Sequence, residues 1–341
     1  MIEQEGETKN TLLVDADGGD FAPQEIVIGV LEAMKARPQL KVRFFGNQDA
    51  IRDVLSTFDY PADRVSIVNC PETITSSESP AEALRKKRSS SIVMCAKACA
   101  KGEGFGWISA GNTGACMGAS LLFMRTIRGI YRPGIAVVVP KECGFAILID
   151  IGANAECKPL NILQFAVMGS AYHSVRFGVL DPKVALLNIG VEEAKGNSLY
   201  KGAFEILSKS HLNFIGNIEA RDIFDNEAEV IVCDGFTGNI LLKAIEGTVM
   251  HMISIVKKAG KDNVLSMLGA ALLKKSLKER ISELDYEEYG GAFLLGVNGI
   301  FIKSHGSSKA TAIKNSSILA IESSKSGLIA KISENIKGGM S

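Results

Sequence analysis

One local pattern recurs along this sequence and limits the folds open to it. A short apolar run is followed by a polar turn rich in glycine and then by a helical stretch, with turns at 15–20, 109–114, 150–154, 188–197, 234–239 and 304–308. Short β runs that alternate with helical stretches are typical of a doubly wound α/β sheet. We therefore predict an α/β fold with a mostly parallel sheet, and we expect the polar turns to converge on one cleft.

The turn at 233–243 has the composition of an anion-binding helix N-terminus. Its glycines permit positive φ and close backbone approach, and its other polar residues are helix-capping types. Free backbone N–H groups at such a turn attract anions. The residues concerned are Asp234, Gly235, Thr237, Gly238 and Asn239, with Lys243 one turn into the predicted helix.

Bulk properties exclude several classes of protein. The 341 residues suffice for a large core, and the 38 basic residues balance 38 acidic ones, so net charge gives no reason to expect nucleic acid. The first ten residues are polar, and no apolar run approaches the roughly 20 residues of a membrane-spanning helix. The seven cysteines are scattered, without zinc spacing. We expect a cytoplasmic protein with reduced cysteines and no zinc site.

Two polar segments each leave a pair of interpretations open. The cationic run 85–91, which begins at Arg85, is either a solvated helix face or a phosphate-binding group, since guanidinium and hydroxyl groups suit phosphate oxygens. The turn 109–114 leads into a helix start of small residues. Those residues serve either tight packing or the approach of a charged group, and the pair Asn112 and Thr113 favours the second.

The last third of the chain combines apolar and basic residues. Residues 240–284 predict long helices broken near 260–262, with an apolar stripe that includes Met267, Leu268 and Leu272. Basic residues flank that stripe at Lys257, Lys258, Lys261, Lys274, Lys275, Lys278 and Arg280. We interpret 257–288 as a helical projection from a single body at 1–341. We expect it to join two subunits and to contact an anionic membrane. Replacement of Lys274, Lys275 and Lys278 with glutamate would test the membrane contact.

In their order, the polar turns resemble those of the bacterial phosphate acyltransferases of phospholipid synthesis, the PlsX family. The resemblance covers nearly the whole chain. It is carried by 15–23, 85–91, 109–114, 150–154, 164–170, 195–197, 234–239 and 289–308. Asp17, Phe21 and Phe293 depart from the methionine, histidine and proline that are usual in this family.

The resemblance implies a three-layer α/β/α fold similar to isocitrate and isopropylmalate dehydrogenases and to phosphotransacetylases. It also implies transfer of a fatty acyl group from acyl-carrier protein to orthophosphate, giving acyl phosphate for glycerol-3-phosphate acylation by a membrane acyltransferase. The expected state is a homodimer. The rival interpretations are an acyl-CoA phosphotransacylase, a decarboxylating dehydrogenase and a non-catalytic membrane-docked scaffold.

The site residues follow from the turns and the resemblance together. The candidates for catalytic roles are Asn112, Asp234, Asn239, Lys243 and His305. The candidates for binding phosphate or substrate are Asp15, Gly18, Gly19, Asp20, Arg85, Ser109, Gly111, Thr113, Gly114, Asp150, Asn154, Asn188, Lys195, Gly235, Thr237, Gly238, Gly290, Gly291 and Ser307. A thioester is already electrophilic, so these groups need only to orient two substrates and to stabilise an oxyanion, and neither a metal nor a cofactor is expected.

Overall fold

A large β-sheet forms the centre of the molecule. The computed structural model describes residues 10–261, 264–282 and 286–338. Within those ranges the strands are β1 Thr11–Asp15, β2 Lys41–Gly46, β3 Val65–Asn69, β4 Gly106–Ser109, β5 Gly134–Pro140, β6 Phe145–Ile149, β7 Val184–Asn188, β8 Phe214–Glu219, β9 Val230–Val232, β10 Ala292–Leu295 and β11 Ile300–Lys303. Their order across the sheet is β3-β2-β1-β4-β11-β10-β5-β6-β9-β7-β8.

Helices cover both faces of this sheet. They are α1 Gln24–Ala36, α2 Gln48–Leu55, α3 Pro80–Lys86, α4 Ser91–Ala100, α5 Thr113–Ala119, α6 Pro159–Phe177, α7 Ser198–Ser208, α8 Gly235–Ala259, α9 Val264–Ser282, α10 Ala310–Lys325 and α11 Leu328–Gly338. A π turn, Ser120–Met124, continues α5. Successive side chains of a strand point to opposite faces, and Leu12 and Leu13 accordingly belong to two separate apolar cores. The predicted three-layer α/β/α architecture is confirmed.

The sheet is mostly parallel, as predicted, but its polarity reverses in the middle. Strands β1, β2, β3, β4 and β11 run in one direction. Strand β10 is antiparallel to β11 and to β5, and β5 is antiparallel to β6. Strands β6, β9, β7 and β8 then run parallel to one another. The carboxyl ends of the two halves therefore face opposite edges of the sheet.

That reversal makes one sequence-based expectation wrong. The polar turns after β1, β4 and β11 lie at one edge, whereas the turns after β6, β7 and β9 lie at the other. They form two clusters and do not meet in one cleft of this chain. The physical reason is the pair of antiparallel strands, β10 and β5, placed between the two parallel halves.

Helices α8 and α9 present apolar side chains to solvent. Met250 is 72% exposed and Leu272 is 83% exposed. Of the predicted projection at 257–288, residues 262–263 and 283–285 lie outside the described residues, as do the side chains of Lys274, Lys278 and Arg280. The structure therefore does not bear on the expected effect of replacing Lys274 and Lys278.

Helix α8 bears on the expectation that no apolar run approaches the length of a membrane-spanning helix. It has 25 residues and a mean hydropathy of 1.3 over its most apolar window, which is sufficient for a membrane-spanning helix by length and composition. An unbroken apolar run is not required for this, because its few charges are outweighed by isoleucine, methionine and valine. The helix nevertheless begins in the protein body, where its N-cap Asp234 is buried.

Candidate active site

The first cluster consists of the loops after β1, β4 and β11, residues 15–20, 109–114 and 303–308. The backbone N–H of Asp20 donates to the carbonyl of Gly306 at 2.7 Å, joining the first and third loops. The first and second loops touch at Gly18, where a Cβ would lie 2.6 Å from the amide nitrogen of Gly111. Gly19 has a φ of +112°, a conformation that glycine adopts readily. Glycine is therefore required here for close loop packing.

Asp15 supports this cluster from below. Its carboxylate is fully buried and accepts hydrogen bonds from the Ser109 hydroxyl at 2.6 Å, the Asp17 amide at 3.3 Å and the Ser91 hydroxyl. Ser109 in turn accepts from the amide of Gly111 at 2.9 Å. Burial raises the pKa of Asp15 above its usual range. Asp15 and Ser109 therefore hold the loops in place, and neither has its polar atoms turned to a ligand.

Asn112 is placed in the first cluster as predicted, but its amide is already engaged. The Oδ1 atom caps α5 by accepting from the Ala115 amide at 3.0 Å. The Nδ2 group donates to the carbonyls of Thr75 and Glu78, each at 3.1 Å, and to that of Ser76 at 3.3 Å. Both of its N–H bonds are thus directed at the segment 75–78. The hypothesis that Asn112 donates to an oxyanion is not supported by this geometry.

The small residues that begin α5 serve packing. A Cβ at Gly114 would lie 2.5 Å from Cγ of Pro80, and one at Gly118 would lie 2.6 Å from Cδ1 of Leu84. Helix α3 packs there, so the tight-packing interpretation is the correct one for these glycines. The backbone amides of Thr113 and Gly114 nevertheless have no hydrogen-bond partner among the described residues. They are the donors that the start of α5 offers to an anion.

His305 lies on the exposed side of the first cluster. Its Nδ1 accepts from the Ser307 amide at 3.2 Å and lies 2.8 Å from the Ser307 hydroxyl oxygen. Because Nδ1 accepts a backbone N–H, we assign the proton of the neutral ring to Nε2. His305 thus has the tautomer of a hydrogen-bond donor at Nε2, and Ser307 orients it.

Part of the cationic run 85–91 supports a neighbouring segment, and Arg85 does not take part in this. Lys87 donates to the carbonyl of Thr73 at 2.6 Å and to the carboxylate of Glu78 at 2.8 Å, and this bond lowers the pKa of Glu78 to about 2. The Ser89 amide donates to Glu72. Arg85 is exposed, and its side chain has no hydrogen bond or ion pair in the part of the chain that the structure describes. The run thus mainly holds the segment 72–78 in place.

Gly290 and Gly291 adjoin the first cluster through β10, whose amino end lies beside the carboxyl end of β11. Both have positive φ, 102° and 81°. A Cβ at Gly291 would lie 2.8 Å from the carbonyl oxygen of Lys303, and one at Gly290 would lie 2.7 Å from Cβ of Leu319. These glycines permit a turn and close packing, and we find no ligand-directed group on them.

The second cluster lies at the other edge of the sheet, in the loops after β6, β7 and β9. Asp150 is fully buried and its carboxylate accepts N–H groups at 2.8 to 3.1 Å. The donors are the amides of Ile135, Gly152, Ala153 and Asn154 and the side chain of Asn154. Burial outweighs these bonds and raises the pKa of Asp150. Asp150 and Asn154 thus fix the loop from within.

Asp234 has a similar role at the start of α8. Its Oδ1 accepts from the Thr237 amide at 3.0 Å, and its Oδ2 accepts from the hydroxyls of Tyr200 at 2.6 Å and Thr237 at 2.8 Å. The amide of Gly235 donates to the backbone carbonyl of Asn154 at 2.8 Å, and the amide of Gly238 donates to the backbone carbonyl of Asp234 at 3.0 Å. These three amides are occupied within the protein, and phosphate binding by the turn 234–239 stays a prediction.

The cations of the second cluster are exposed. Lys243 is 56% exposed and lies 3.1 Å from Glu246, and Lys195 is 48% exposed and lies 3.8 Å from Glu192. Asn188 donates to the carbonyl of Lys195. Asn239 is exposed beside Gly152, whose built Cβ would lie 3.8 Å from its Oδ1. These residues lie at the edge of the sheet opposite His305.

Three residues near the clusters were not among the candidates chosen from the sequence. Lys303 is a buried lysine at the end of β11, Tyr200 binds Asp234, and Cys116 is a buried thiol that donates to Ser109 at 3.2 Å. A lysine directly after the apolar residues 300–302 was the available signal for Lys303. Across the described residues, no three His, Cys, Asp or Glu side chains are grouped to hold a metal ion.

Comparison with known proteins decides the family. A family model described as "Fatty acid synthesis protein" matches residues 10–331. A phosphate acyltransferase of Heliobacterium modesticaldum is 48% identical over 328 residues, covering 96% of this chain and 98% of that protein. The chain belongs to the phosphate acyltransferase family. A second phosphate acyltransferase, from Alkaliphilus oremlandii, is 43% identical over 95% of this chain and 97% of its own length.

Solved structures agree with this phosphate acyltransferase at the level of the fold. A phosphotransacetylase from Streptococcus pyogenes superposes with a TM-score of 0.63 at 17% identity, covering 95% of this chain and 97% of that one. A branched-chain phosphotransacylase from Enterococcus faecalis gives a TM-score of 0.55 at 13% identity, covering 92% and 99%. The predicted similarity to phosphotransacetylases is confirmed for the fold, and family membership makes this protein an acyltransferase.

Proposed function

We propose that this phosphate acyltransferase transfers a fatty acyl group from the thioester of acyl-carrier protein to orthophosphate. The product is an acyl phosphate, which serves glycerol-3-phosphate acylation by a membrane acyltransferase. The observation that carries the proposal is the 48% identity to a phosphate acyltransferase over 96% of the chain. The alternative donor is acyl-CoA, whose reactive thioester is chemically equivalent.

The first cluster has groups suited to this chemistry. The unoccupied amides of Thr113 and Gly114 supply backbone donors for phosphate oxygens, and His305 supplies a side-chain donor. A phosphate oxygen attacks the thioester carbonyl, forming a C–O bond, and the C–S bond then breaks. The electron pair leaves with sulfur, the thiolate takes up the proton that hydrogen phosphate carries, and the Nε2–H of His305 donates a hydrogen bond to the departing sulfur. Phosphate is already nucleophilic, so the residues mainly orient and stabilise charge.

Partners and location follow from the surface of α8 and α9. We infer that a second copy covers the apolar side chains there, because monomers rarely expose large contiguous apolar patches. Lys257, Lys258 and Lys261 are exposed near the same end and would attract an anionic membrane. The protein is thus proposed to be cytoplasmic, dimeric and peripherally bound to membranes.

A donor comparison tests the reaction. Purified protein is given acyl-carrier-protein thioester or acyl-CoA of the same chain length, each with and without orthophosphate, and free thiol and acyl phosphate are measured. We expect phosphate-dependent thiol release to be fastest with the carrier-protein donor. Equal or faster release from acyl-CoA would instead assign the CoA donor, and no phosphate dependence with either donor would contradict the proposed reaction.

The role of His305 is tested in the same assay. His305→Ala should lower turnover by roughly 100-fold, because a preorganised hydrogen-bond donor to developing charge contributes about that much. The exposed His211→Ala is the matched control and should keep wild-type turnover. Turnover of His305→Ala within about threefold of wild type would show that His305 only shapes its glycine turn.

A further inference from the structure

A long stretch of this chain is basic although the whole chain is neutral. The 38 basic residues balance 38 acidic ones overall, but between Ala83 and Lys141 the sequence has a single acidic residue, Glu103. Glu103 is paired with Arg43 at 2.7 Å, so it offsets none of the charges within the stretch. Those charges belong to Arg85, Lys86, Lys87, Arg88, Lys97, Lys101, Arg125, Arg128, Arg132 and Lys141. A local excess of one sign attracts a partner of the opposite sign.

Three arginines of this stretch have no carboxylate partner among the described residues. Lys87, by contrast, is paired with Glu78 at 2.8 Å. Arg85, Arg88 and Arg125 are exposed, and none of them forms an ion pair in the ranges that the structure describes. Arg88 donates through Nε to the carbonyl of Arg85 at 3.4 Å, a contact that leaves its positive charge uncompensated. The charges of these arginines therefore face solvent.

Lys97 joins two of the segments that carry these arginines. Its ammonium group donates to the carbonyl of Arg88 at 3.3 Å and lies 5.3 Å from the centre of the Phe123 ring. The segment after α3 and the π turn therefore lie on either side of one ammonium group. Leu122, in that turn, is 61% exposed, and Arg125 follows the turn directly. We call this group the basic surface, and its members are Arg85, Arg88, Leu122 and Arg125.

The basic surface adjoins the first cluster through α3 and α5. Helix α5 begins in the first cluster, and Gly114 at its start lies against Pro80 of α3. One turn later Gly118 lies against Leu84, the neighbour of Arg85 in the sequence. At a rise of about 1.5 Å a residue, the π turn ends about 15 Å from the first cluster. A partner on this surface is therefore close enough to deliver a substrate on a flexible arm.

We propose that the basic surface docks an acidic protein, the carrier that brings the thioester to the first cluster. This inference rests on the proposed function and identifies where its donor is recognised. An exposed leucine among cations fits a protein partner, because protein interfaces combine apolar contacts with a charged rim. The carrier protein is the macromolecule that the proposed reaction brings to this cluster, so we identify it as the acidic partner. An anionic bilayer is the competing occupant.

A charge-reversal variant, Arg88→Glu with Arg125→Glu, tests this docking. The matched control is Lys35→Glu with Lys201→Glu, which makes the same change of charge at exposed positions on α1 and α7. Leu122→Ser removes the apolar side chain without a change of charge. Thiol release is measured with three donors of the same acyl chain, namely the carrier-protein thioester, acyl-CoA and the uncharged acyl-pantetheine.

We expect the charge-reversal variant to raise the Michaelis constant for the carrier-protein donor at least tenfold and to leave that for acyl-pantetheine unchanged. Leu122→Ser should raise the carrier-protein constant severalfold, and the matched control should keep the wild-type value. Added salt should weaken carrier-protein use more in the wild type than in the charge-reversal variant. An equal rise for acyl-CoA would assign the surface to the phosphates of CoA and overturn the proposal, as would an unchanged carrier-protein constant in the folded variant.

Direct binding distinguishes this inference from the proposed reaction. Fluorescence anisotropy of labelled carrier protein without an acyl group needs neither phosphate nor turnover. If the wild type binds the carrier protein and the charge-reversal variant does not, the basic surface is the docking site even if no donor releases thiol. If the two proteins bind it equally or not at all at low salt, the inference is wrong even if the donor assay succeeds. A variant that loses only co-sedimentation with anionic vesicles would likewise overturn it in favour of a bilayer.

Discussion

Asp15 and Asp150 illustrate how one residue type organises two different loops. Both end or follow a strand and both are fully buried. Asp15 accepts hydroxyl donors from other segments and one amide from its own loop, whereas Asp150 accepts mainly from its own loop. In each, burial is the largest cause of a raised pKa. A polar residue at a strand end is thus as well suited to building a loop as to binding a ligand.

The raised pKa of Asp15 predicts a pH-dependent stability. The folded protein keeps the Asp15 proton to higher pH than the unfolded chain, whose pKa is near the ordinary value of 3.8. The contribution of Asp15 to stability should therefore fall as pH rises from about 3.8 through the raised pKa. Urea unfolding from pH 4 to 7 should show a smaller fall in stability in Asp15→Asn than in the wild type, and the remaining fall comes from other buried carboxyl groups with a raised pKa, such as Asp150. The exposed Asp53→Asn is the control, and an Asp15→Asn variant whose slope equals that of the wild type would contradict the assignment.

Two variants of Asn112 distinguish a helix-capping role of this residue from a catalytic one. Asn112→Ala should lose about 1 kcal/mol of stability, because the α5 cap is removed, and Asn112→Ser should recover most of it. Since the side-chain N–H groups already bind carbonyls, turnover of Asn112→Ser should stay within about tenfold of wild type. Thermal unfolding and turnover are measured together. A loss of 100-fold or more in both variants at unchanged stability would restore the oxyanion hypothesis.

At the scale of single elements, sequence patterns predicted most helices and strands but not the direction of the two halves. The expected strands 135–139 and 145–149 became β5 and β6, and the connection between them, 141–144, is too short for a parallel crossover. The same holds for β10 and β11, which residues 296–299 join. The reversal was therefore present in the sequence as two short connections. The order of the strands across the sheet depends on pairing between distant segments and could not be predicted from the sequence.

Site residues were predictable as loop residues and not as ligands. Asn at 112 and Asp at 150 and 234 are residue types typical of turns, and the structure places them in turns. Whether their polar atoms face a ligand or the loop itself depends on packing partners such as Tyr200 and Thr75, which are distant in sequence. Lys303 was missed for a related reason. Burial of a strand-terminal lysine is fixed by the neighbouring strands and by α5.

Tyr200 offers a test of the second cluster as a structural element. Its hydroxyl donates to the Asp234 carboxylate in the buried link between α7 and α8. A hydrogen bond to a charged group contributes about 1.5–3 kcal/mol, so Tyr200→Phe should lower the free energy of unfolding by about that amount. Tyr131→Phe, at an exposed position, is the control. The phosphate Michaelis constant should be unchanged in both, and a rise in Tyr200→Phe alone would place phosphate near α8.

For the whole molecule, the apolar surface of α8 and α9 predicts a dimer. Leu272 is 83% exposed and Leu180, outside these helices, is 91% exposed, so the pair gives a matched test. Leu272→Glu should shift the mass measured by light scattering from dimer to monomer, because a buried unpaired charge is costly at an interface. Leu180→Glu should leave the dimer intact. A monomeric wild type, or a Leu272→Glu variant that remains dimeric, would contradict a second copy on this surface.

Membrane contact is the remaining expectation for the same end of the molecule, and it needs a test that leaves the dimer intact. Lys257, Lys258 and Lys261 are exposed at the end of α8 and just beyond it. Each lysine near an anionic surface contributes about 1 kcal/mol, and salt weakens the attraction because the electrostatic screening length is about 8 Å at physiological ionic strength.

Replacing all three lysines with glutamate should abolish co-sedimentation with anionic vesicles at low salt, while dimer mass and thiol release in solution stay unchanged. Neutral phosphatidylcholine vesicles are the lipid control, and Lys201→Glu, an exposed position on α7, is the protein control. Because an acyl phosphate is an amphiphile that hydrolyses in water, release at a bilayer would deliver it directly to a membrane acyltransferase. Wild-type protein that never sediments with anionic vesicles, or a triple variant that sediments equally well, would leave α8 and α9 as a subunit interface alone.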